Sequence, residues 1–335
     1  MICNWKQHFD IQRFAAAGTQ TTGTSTLSAE MKTFYDKTLL DNAEPQLVHD
    51  QFGQERNIPA HGGKTIEFRK FSSLAKATTA LTEGVTPDGK SLTVTSKTAT
   101  VAQYGDYIVQ SDMLELTAID NTIVEATRLL GDQAGRTLDT VTREVLAGVT
   151  NVIYAPAGDT AVTSRANLTT ASVLTPDLID QAATALKAQN ADAIGESYVA
   201  IVHPYVAYDL RRNPEWIDVH KYSTPENIYN GEIGKLAGVR FIETSEAKIW
   251  TGTGCPSGLA VFGTLVLAAH AYAVTEVEGG GLQHIVKQLG AGEDPLNQRA
   301  SVGWKAIKTA ERLCEQYMVR IESVSPKYSA KAKAN

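Results

Sequence analysis

Residues Leu116 to Leu146 constrain the fold more than any other stretch. Leu116, Ile119, Ile123, Ala126, Leu130, Ala134, Leu138, Val141 and Val145 recur every three or four residues. That spacing lines one stripe of an α-helix. Glu125, Arg128, Asp132, Arg136, Asp139, Arg143 and Glu144 fall between them, with both charge signs interspersed, and read as a solvated face. At about 1.5 Å rise per residue the helix would run about 45 Å. It is too polar to span a bilayer, and longer than most globular helices. Gly131 and Gly135 sit one turn apart on it, each costing about 1 kcal/mol against Ala. They would allow a bend or a close backbone approach. A long, one-striped helix with two soft points suggests a strut laid across something larger.

The chain of 335 residues has material for one large domain or two ordinary ones. Its net charge of -6 argues against a generally basic, nucleic-acid-gripping surface. Cys3, Cys255 and Cys314 are odd in number and widely spaced, so they form neither a disulfide framework nor a metal cluster. No apolar run is long enough to cross a membrane. Lys6, His8, Asp10 and Arg13 interrupt the N-terminus and exclude the apolar centre of a signal peptide. The expectation is a protein made in the cytoplasm.

Residues 18–28 are mostly Thr, Ser and Gly and read as a flexible tail. A short helical pattern follows through Met31, Phe34, Tyr35 and Leu39. Ile58-Pro59 ends the next segment, because the residue before proline avoids the helical region. Gly62-Gly63-Lys64-Thr65 mimics the end of a phosphate-binding loop. The required glycine five residues before Gly63 is Ile58, and a strand, Thr65 to Arg69, follows where a helix should. A turn into a strand fits better. Residues Lys70 to Lys90 are polar and hold the turn Pro87-Asp88-Gly89. From Thr93 to Gln110 the chain is β-prone again. Two strands with a long polar tip make an extended hairpin, which buries too little to be stable alone and needs a partner surface.

Ser111-Asp112 is a helix-capping candidate. Residues 151–175 read as a connection and domain boundary. The second half looks α/β. Thr175-Pro176-Asp177 caps a helix through Leu186. Tyr198 to Val202 and Gly238 to Ile242 are strands, and His203-Pro204 opens a helix between them. The apolar run Leu259 to Ala271 is a core element whose periodicity does not separate helix from strand. Leu282 to Leu289 and Gln316 to Ile321 read as strands. The Lys-bearing tail after Pro326 reads as mobile, and as solvated in preference to touching DNA.

No convergent acid, base and nucleophile emerges. The seven histidines form no His-Glu-x-x-His pair, and no Gly-x-Ser-x-Gly elbow occurs. Glu293-Asp294 before Pro295 reads as a solvated turn. The expectation is that the chain is not an enzyme and carries no catalytic residue, cofactor or metal.

Several stretches, taken in order, resemble one family. They are Leu81-Thr82-Glu83-Gly84 with Thr86-Pro87-Asp88-Gly89; Tyr104-Gly105-Asp106-Tyr107 into Ser111-Asp112; and His203-Pro204 ahead of Asp209-Leu210-Arg211. Gly231 to Phe241, Asp294-Pro295-Leu296-Asn297-Gln298-Arg299 and Gly303-Trp304-Lys305-Ala306 complete the set. The chain is similar to the major capsid proteins of tailed bacteriophages, in the branch related to the phage N-four coat protein. Phe9 to Ala15 also resembles the start of many phage structural proteins.

The resemblance implies an α+β capsid fold: an N-terminal arm (1–62), an extended hairpin loop (63–111), a spine helix with its peripheral-domain connection (112–174), an α/β axial domain (175–300), return strands joining the peripheral sheet (301–325) and a flexible tail (326–335). It implies a subunit of a self-assembling icosahedral shell of pentamers and hexamers around double-stranded DNA. Portal protein, and scaffold or decoration proteins, would be partners; no membrane would be. The location would be the virion, with assembly in the host cytoplasm. The expected inter-subunit contacts are Leu81, Glu83, Val85, Pro87 and Asp88 on the loop. On the spine helix the expected residues are Ile123, Leu130, Gly131, Gly135 and Leu138. Hairpin and helix stripe would both be completed by sister copies. A cargo-enclosing cellular shell of the same fold, or a soluble α/β enzyme, are the alternatives.

Overall fold

The structure, a computed structural model, describes residues 47–335 except 73, 82, 85, 87, 118–121, 221–233 and 288–295. The expected helix near Met31, the N-terminal arm up to residue 46, and the loop residues Val85 and Pro87 lie outside the described residues. Fourteen strands, β1 to β14, and five α-helices are described.

One sheet is built on the long strand β13 (Arg299–Arg312). β4 (Ala102–Ser111) pairs antiparallel along one edge, from Arg299↔Ser111 to Lys308↔Ala102. β12 (Gln283–Lys287) and β11 (Tyr272–Glu276) share the other edge, and β1 (Gln54–Glu55) adds outside β11 in parallel. Gly105 and Gly303 let β4 and β13 close up. A Cβ on Gly303 would lie 2.6 Å from the Tyr107 Cβ, and one on Gly105 would lie 2.6 Å from the Trp304 carbonyl.

The helix stripe packs on this sheet. Helix α1 covers Asp112–Thr117 and so includes Leu116, the long helix α2 runs Thr122–Ala147, and Ile119 of the stripe lies outside the described residues. The Ser111 hydroxyl accepts from the Leu114 N–H at 3.3 Å, which places the cap at the start of α1. Leu130 (2% exposed), Ala134 and Leu138 (4%) bury against Val302, Trp304 and Ala306 of β13, with Ile123 packed beside them. The helix stripe is therefore completed by the chain's own sheet, contrary to the expectation that sister copies complete it. Period-3.6 apolarity reports that a face is covered, not by what. Gly131 and Gly135 are both buried on α2.

Two residues assigned to the solvated face are buried instead. Asp139 accepts from the His49 N–H at 2.7 Å and lies 2.7 Å from His49 Nδ1. Arg143 donates to the Glu246 carbonyl at 2.9 Å and to Glu144 at 2.7 Å. The partners come from residues 90 positions before and 103 after, so local patterning could not reveal them. Beside His49, Asp50 accepts from Thr142 at 2.6 Å and pairs with buried Lys308. This polar junction pins residues 47–58, the root of the N-terminal segment, to helix and sheet.

The second sheet has strand order β5-β14-β10-β6-β8-β7, with β9 (Ile249–Trp250) pairing β10 (Val261–Leu267). The apolar run left open between helix and strand is this central strand, buried at every position. β6 (Tyr198–Val202) and β8 (Val239–Glu243) are the expected strands, and they pair in parallel. β7 is Lys235–Leu236. β5 (Val152–Tyr154) joins the sheet from the stretch read as an inter-domain connection. Helix α3 (Pro176–Ala188) starts at the Thr175 cap, and α4 (Pro204–Arg211) at His203; both cover one sheet face, and α5 spans Pro214–His220. On the other face, Val199, Ile201, Leu265 and Leu267 meet Leu146 of α2 and Tyr272 and Val274 of the first sheet, so the two units share a core.

The return strands divide. β13 joins the first sheet, while β14 (Met318–Ser323) joins the second, pairing β10 from Phe262↔Ser323 to Leu267↔Met318. The tail is packed, not mobile. Tyr328 stacks on Tyr205 at 4.3 Å, Ser325 N–H donates to Ser329 at 2.8 Å, and Asn335 accepts from the Ile249 N–H at 3.0 Å.

His203 accepts from the Tyr205 N–H through Nδ1 at 3.2 Å, capping α4. Burial pushes its imidazole down to about 4. The unfolded chain therefore binds a proton from about pH 6.5 downward that the folded chain refuses until about pH 4. Stability from this group is present above that window and lost as pH falls through it. Asn can keep the cap without titrating. The wild-type melting temperature is expected to fall more steeply than that of His203→Asn between those pH values; equal slopes would refute the assignment.

Candidate assembly surfaces

The expected hairpin is present and projects from the body. β2 (Thr65–Phe71) pairs antiparallel with β3 (Val94–Thr100), from Thr65↔Thr100 to Phe71↔Val94. The second strand is shorter than the β-prone stretch to Gln110 implied. The chain leaves the hairpin at Val101, and residues 102–111 enter the first sheet as β4. Continuous β propensity could not show this change of partner.

Alternation in Thr65-Ile66-Glu67-Phe68 turns Ile66 and Phe68 toward the body, where they are half-buried, and Ala99 is buried opposite Ile66. Ile66 and Phe68 line one side of a cleft of about 950 Å³, whose other side is Leu313, Cys314 and Tyr317. Across it Lys70 Nζ lies 3.0 Å from Cys314 Sγ and 5.2 Å from the Tyr317 ring centroid. The contact with Cys314 raises the Lys70 pKa against the opposing effect of burial. This is the hairpin's visible tether near mid-length.

Beyond the tether the hairpin is open to solvent. Phe71 and Val94 form its last strand pair, and both are exposed; Leu74, Leu92 and Leu81 (76%) follow on the tip. Glu83 and Asp88 are exposed there too. Five large apolar side chains on one projecting ribbon need an explanation that scattered surface leucines do not. The basic residues Lys76, Lys90 and Lys97 accompany them in the open.

A second set of exposed apolar side chains is divided between two helices: Met113 and Leu114 on α1, and Leu129 on α2. Carboxylates are their neighbours along the chain. Asp112 accepts from the Met113 N–H at 2.7 Å, and Arg128 bridges Glu125 and Asp132 at 3.1 and 3.7 Å. A third group, Tyr107 and Val109, lies on the sheet face opposite α2, because Tyr104, Asp106 and Ile108 face the helix: Tyr104 and Ile108 pack in its core, and Asp106 accepts from Gln133 at 2.6 Å. Glu246 and Glu144 tie α2 to the second sheet's loop through Arg136 at 3.1 Å and Lys248 at 2.7 Å. The helix is thus held along its length while its outer side stays free.

Of the expected contact residues, Leu81, Glu83 and Asp88 stand exposed on the tip, whereas Leu130, Gly131, Gly135 and Leu138 face inward. Pattern reading missed Phe71, Leu74, Leu92, Met113, Leu114 and Leu129; apolar residues inside a polar stretch were the available signal. Among the described residues there is no group of acidic, histidine and cysteine side chains that could hold a metal, and Cys255 and Cys314 are free thiols. No helix among them is long and apolar enough to cross a membrane.

A family model described as phage capsid protein matches residues 93–310, well over half of the chain. No curated protein matches the sequence. The structure is similar to the capsid of cyanophage Pam1, with a TM-score of 0.66 at 14% identity over 86% of this chain and 93% of that one. It is also similar to the capsid of Ralstonia phage GP4, with a TM-score of 0.63 at 15% identity over 82% and 87%. The capsid of cyanophage P-SCSP1u gives 0.63 at 14% identity over 81% and 86%. These likenesses establish a shared capsid fold.

Proposed function

The chain belongs to the phage capsid protein family and forms the head shell, and we propose that its β2–β3 hairpin is the element that joins neighbouring copies. One observation carries this reading. The hairpin presents Phe71, Leu74, Leu81, Leu92 and Val94 to solvent, and nothing else in the described chain covers them.

In this reading the hairpin of one copy lies over the start of the spine helix of the next. Its apolar side chains meet Met113, Leu114 and Leu129, and its lysines face Asp112, Glu125 and Asp132. This is a head-to-tail contact, which closes into rings by symmetry. Each contact is modest, but every subunit makes several, and multivalency multiplies them. The shell is icosahedral and encloses double-stranded DNA. An acidic chain suits that role, because a uniformly basic lining would grip the packaged phosphates. Portal protein and scaffold or decoration proteins would complete the particle, assembled in the host cytoplasm.

Electron microscopy of particles purified from host lysates, combined with nuclease treatment, tests the function. Closed shells that protect double-stranded DNA are expected. Protein cargo in place of DNA, or only small discrete oligomers, would defeat it. A dynamic role also follows for Gly131 and Gly135, as soft points that let the spine helix bend during shell expansion. The double variant Gly131→Ala/Gly135→Ala is expected to assemble yet expand poorly, read as particle diameter before and after packaging. An unchanged gain in diameter would rule the hinge out.

A further inference from the structure

The chain carries a net charge of -6, yet one surface of the second unit collects cations and rings. Helix α4 ends at Arg211 and is capped by Arg212, and the segment after β14 folds back across it. The stacking of Tyr328 on Tyr205 and the packing of Ala332 on the main core hold that segment in place. Lys327 Nζ and Arg212 Nη1 each donate to the Tyr208 hydroxyl at 3.0 Å. The same cations lie 5.1 and 5.5 Å from the Tyr208 ring centroid.

No ion pair engages Lys327 or Arg212 among the described residues. Arg211, by contrast, pairs with Glu243 at 3.3 Å. Asp209 is the nearby acid, and burial raises its carboxyl pKa even against the charge of Lys327. The Tyr208 phenol is lowered, first by Lys327 and also by Arg212, which marks a positive local potential. Its oxygen already accepts twice, so its own O–H is left to donate outward. One guanidinium, one ammonium and one phenol O–H are thus grouped with no salt-bridge partner among the described residues. Lys331 and Lys333 are exposed farther along the same segment, which from residue 326 contains no acidic residue.

The C-terminus of α4 opposes an anion here with about half an elementary charge. Two full cations with no salt-bridge partner outweigh it. We propose that Tyr208, Arg212 and Lys327 form a phosphate-binding site which, continued by Lys331 and Lys333, follows the backbone of double-stranded DNA. Arg supplies a planar fork for phosphate oxygens, Lys a point charge and Tyr a neutral donor. The contact reads no sequence, since phosphates carry none. It stands on local geometry and does not depend on how the shell is assembled.

The test is fluorescence anisotropy of a short labelled duplex with the full-length unassembled chain across a salt series. Arg212→Gln/Lys327→Gln is expected to weaken binding roughly tenfold or more and to lower the log–log salt slope by about 2. The charge-matched Lys287→Gln/Lys305→Gln variant, altered on the other sheet, is expected to bind like wild type. Melting temperatures show whether either pair of changes disturbs the fold. Wild-type affinity and slope in the first variant, or an equal loss in both, would overturn the site. A parallel calorimetric titration uses inorganic phosphate alone. Phosphate binding without duplex binding would assign the site to free phosphate and overturn the DNA assignment.

Discussion

Removing residues 74–92 and closing the gap with a short Gly-Ser link is expected to leave a folded subunit that forms no shells. The described tip residues are exposed, so little of the subunit's own stability depends on them. What the deletion removes is Leu74, Leu81 and Leu92, three of the five large apolar side chains the hairpin holds open to solvent. Burying such a side chain is worth about 1.5–3 kcal/mol. Three of them amount to roughly 5 kcal/mol per contact before ordering costs, a thousandfold or more in each contact's equilibrium. Around a closed ring the losses multiply. Sedimentation velocity and microscopy would read assembly, and thermal melting would read the fold. Shells at normal yield from the deletion would remove the hairpin from the interface. Leu81→Asp, which keeps the loop length, separates a lost contact from a disturbed turn.

Glu322→Ala is expected to destabilise the subunit by about 3–5 kcal/mol, because it strips the shared partner from buried Arg320 and half-buried Arg165. Glu322 is fully buried on β14. Arg165 approaches it as a fork, with Nε and Nη2 at 2.7 and 2.6 Å from its two carboxylate oxygens, and Arg320 Nε lies 2.9 Å away. The Arg165 guanidinium also sits 3.9 Å above the Trp250 ring. Glu322 raises the Arg165 pKa, whereas burial lowers that of Arg320 despite the same carboxylate. Without the carboxylate two like charges are left close together, one of them buried. Whole domains hold only about 5–15 kcal/mol, so the loss is a large fraction. Denaturant midpoints of the unassembled subunit would measure it, with Glu322→Gln, which keeps an acceptor, falling in between. A midpoint unchanged by the alanine variant would show that water reaches the pair.

How far the chain could be read without coordinates differs from element to element. The stripe from Ile123 to Val145 specified a long helix because its signal lies within the helix. Thr175-Pro176 and His203-Pro204 were readable as helix starts for the same reason, since caps act over three residues. The hairpin was visible in the alternation of Thr65 to Arg69, whereas Pro87 of the expected turn lies outside the described residues. Its end was not, because Thr98 and Gln103 have similar propensity yet pair with strands more than 200 residues apart, Glu67 in β2 and Ile307 in β13. Burial of Asp139 and Arg143 was illegible, because charge alone signals solvent unless distant partners such as His49 and Glu246 are known. The packed tail was misread for a similar reason: lysines suggested mobility, while the anchoring side chains Tyr328 and Ala332 were few.

The sequence by itself determined the repertoire of elements, the ordered set of stretches that resembles a capsid subunit, and the absence of recognisable catalytic motifs. Those signals depend on neighbours within a turn or two, or on short segments read in order. Tertiary structure alone decided that the helix stripe is covered by β13 and leaves the hairpin as the exposed apolar ribbon. It also decided that Arg212 and Lys327 converge on Tyr208, more than a hundred residues from Lys327 along the chain. Contacts of that kind arise when non-local strands and returning segments are brought together by burial, and local periodicity carries no record of which surface will do the covering.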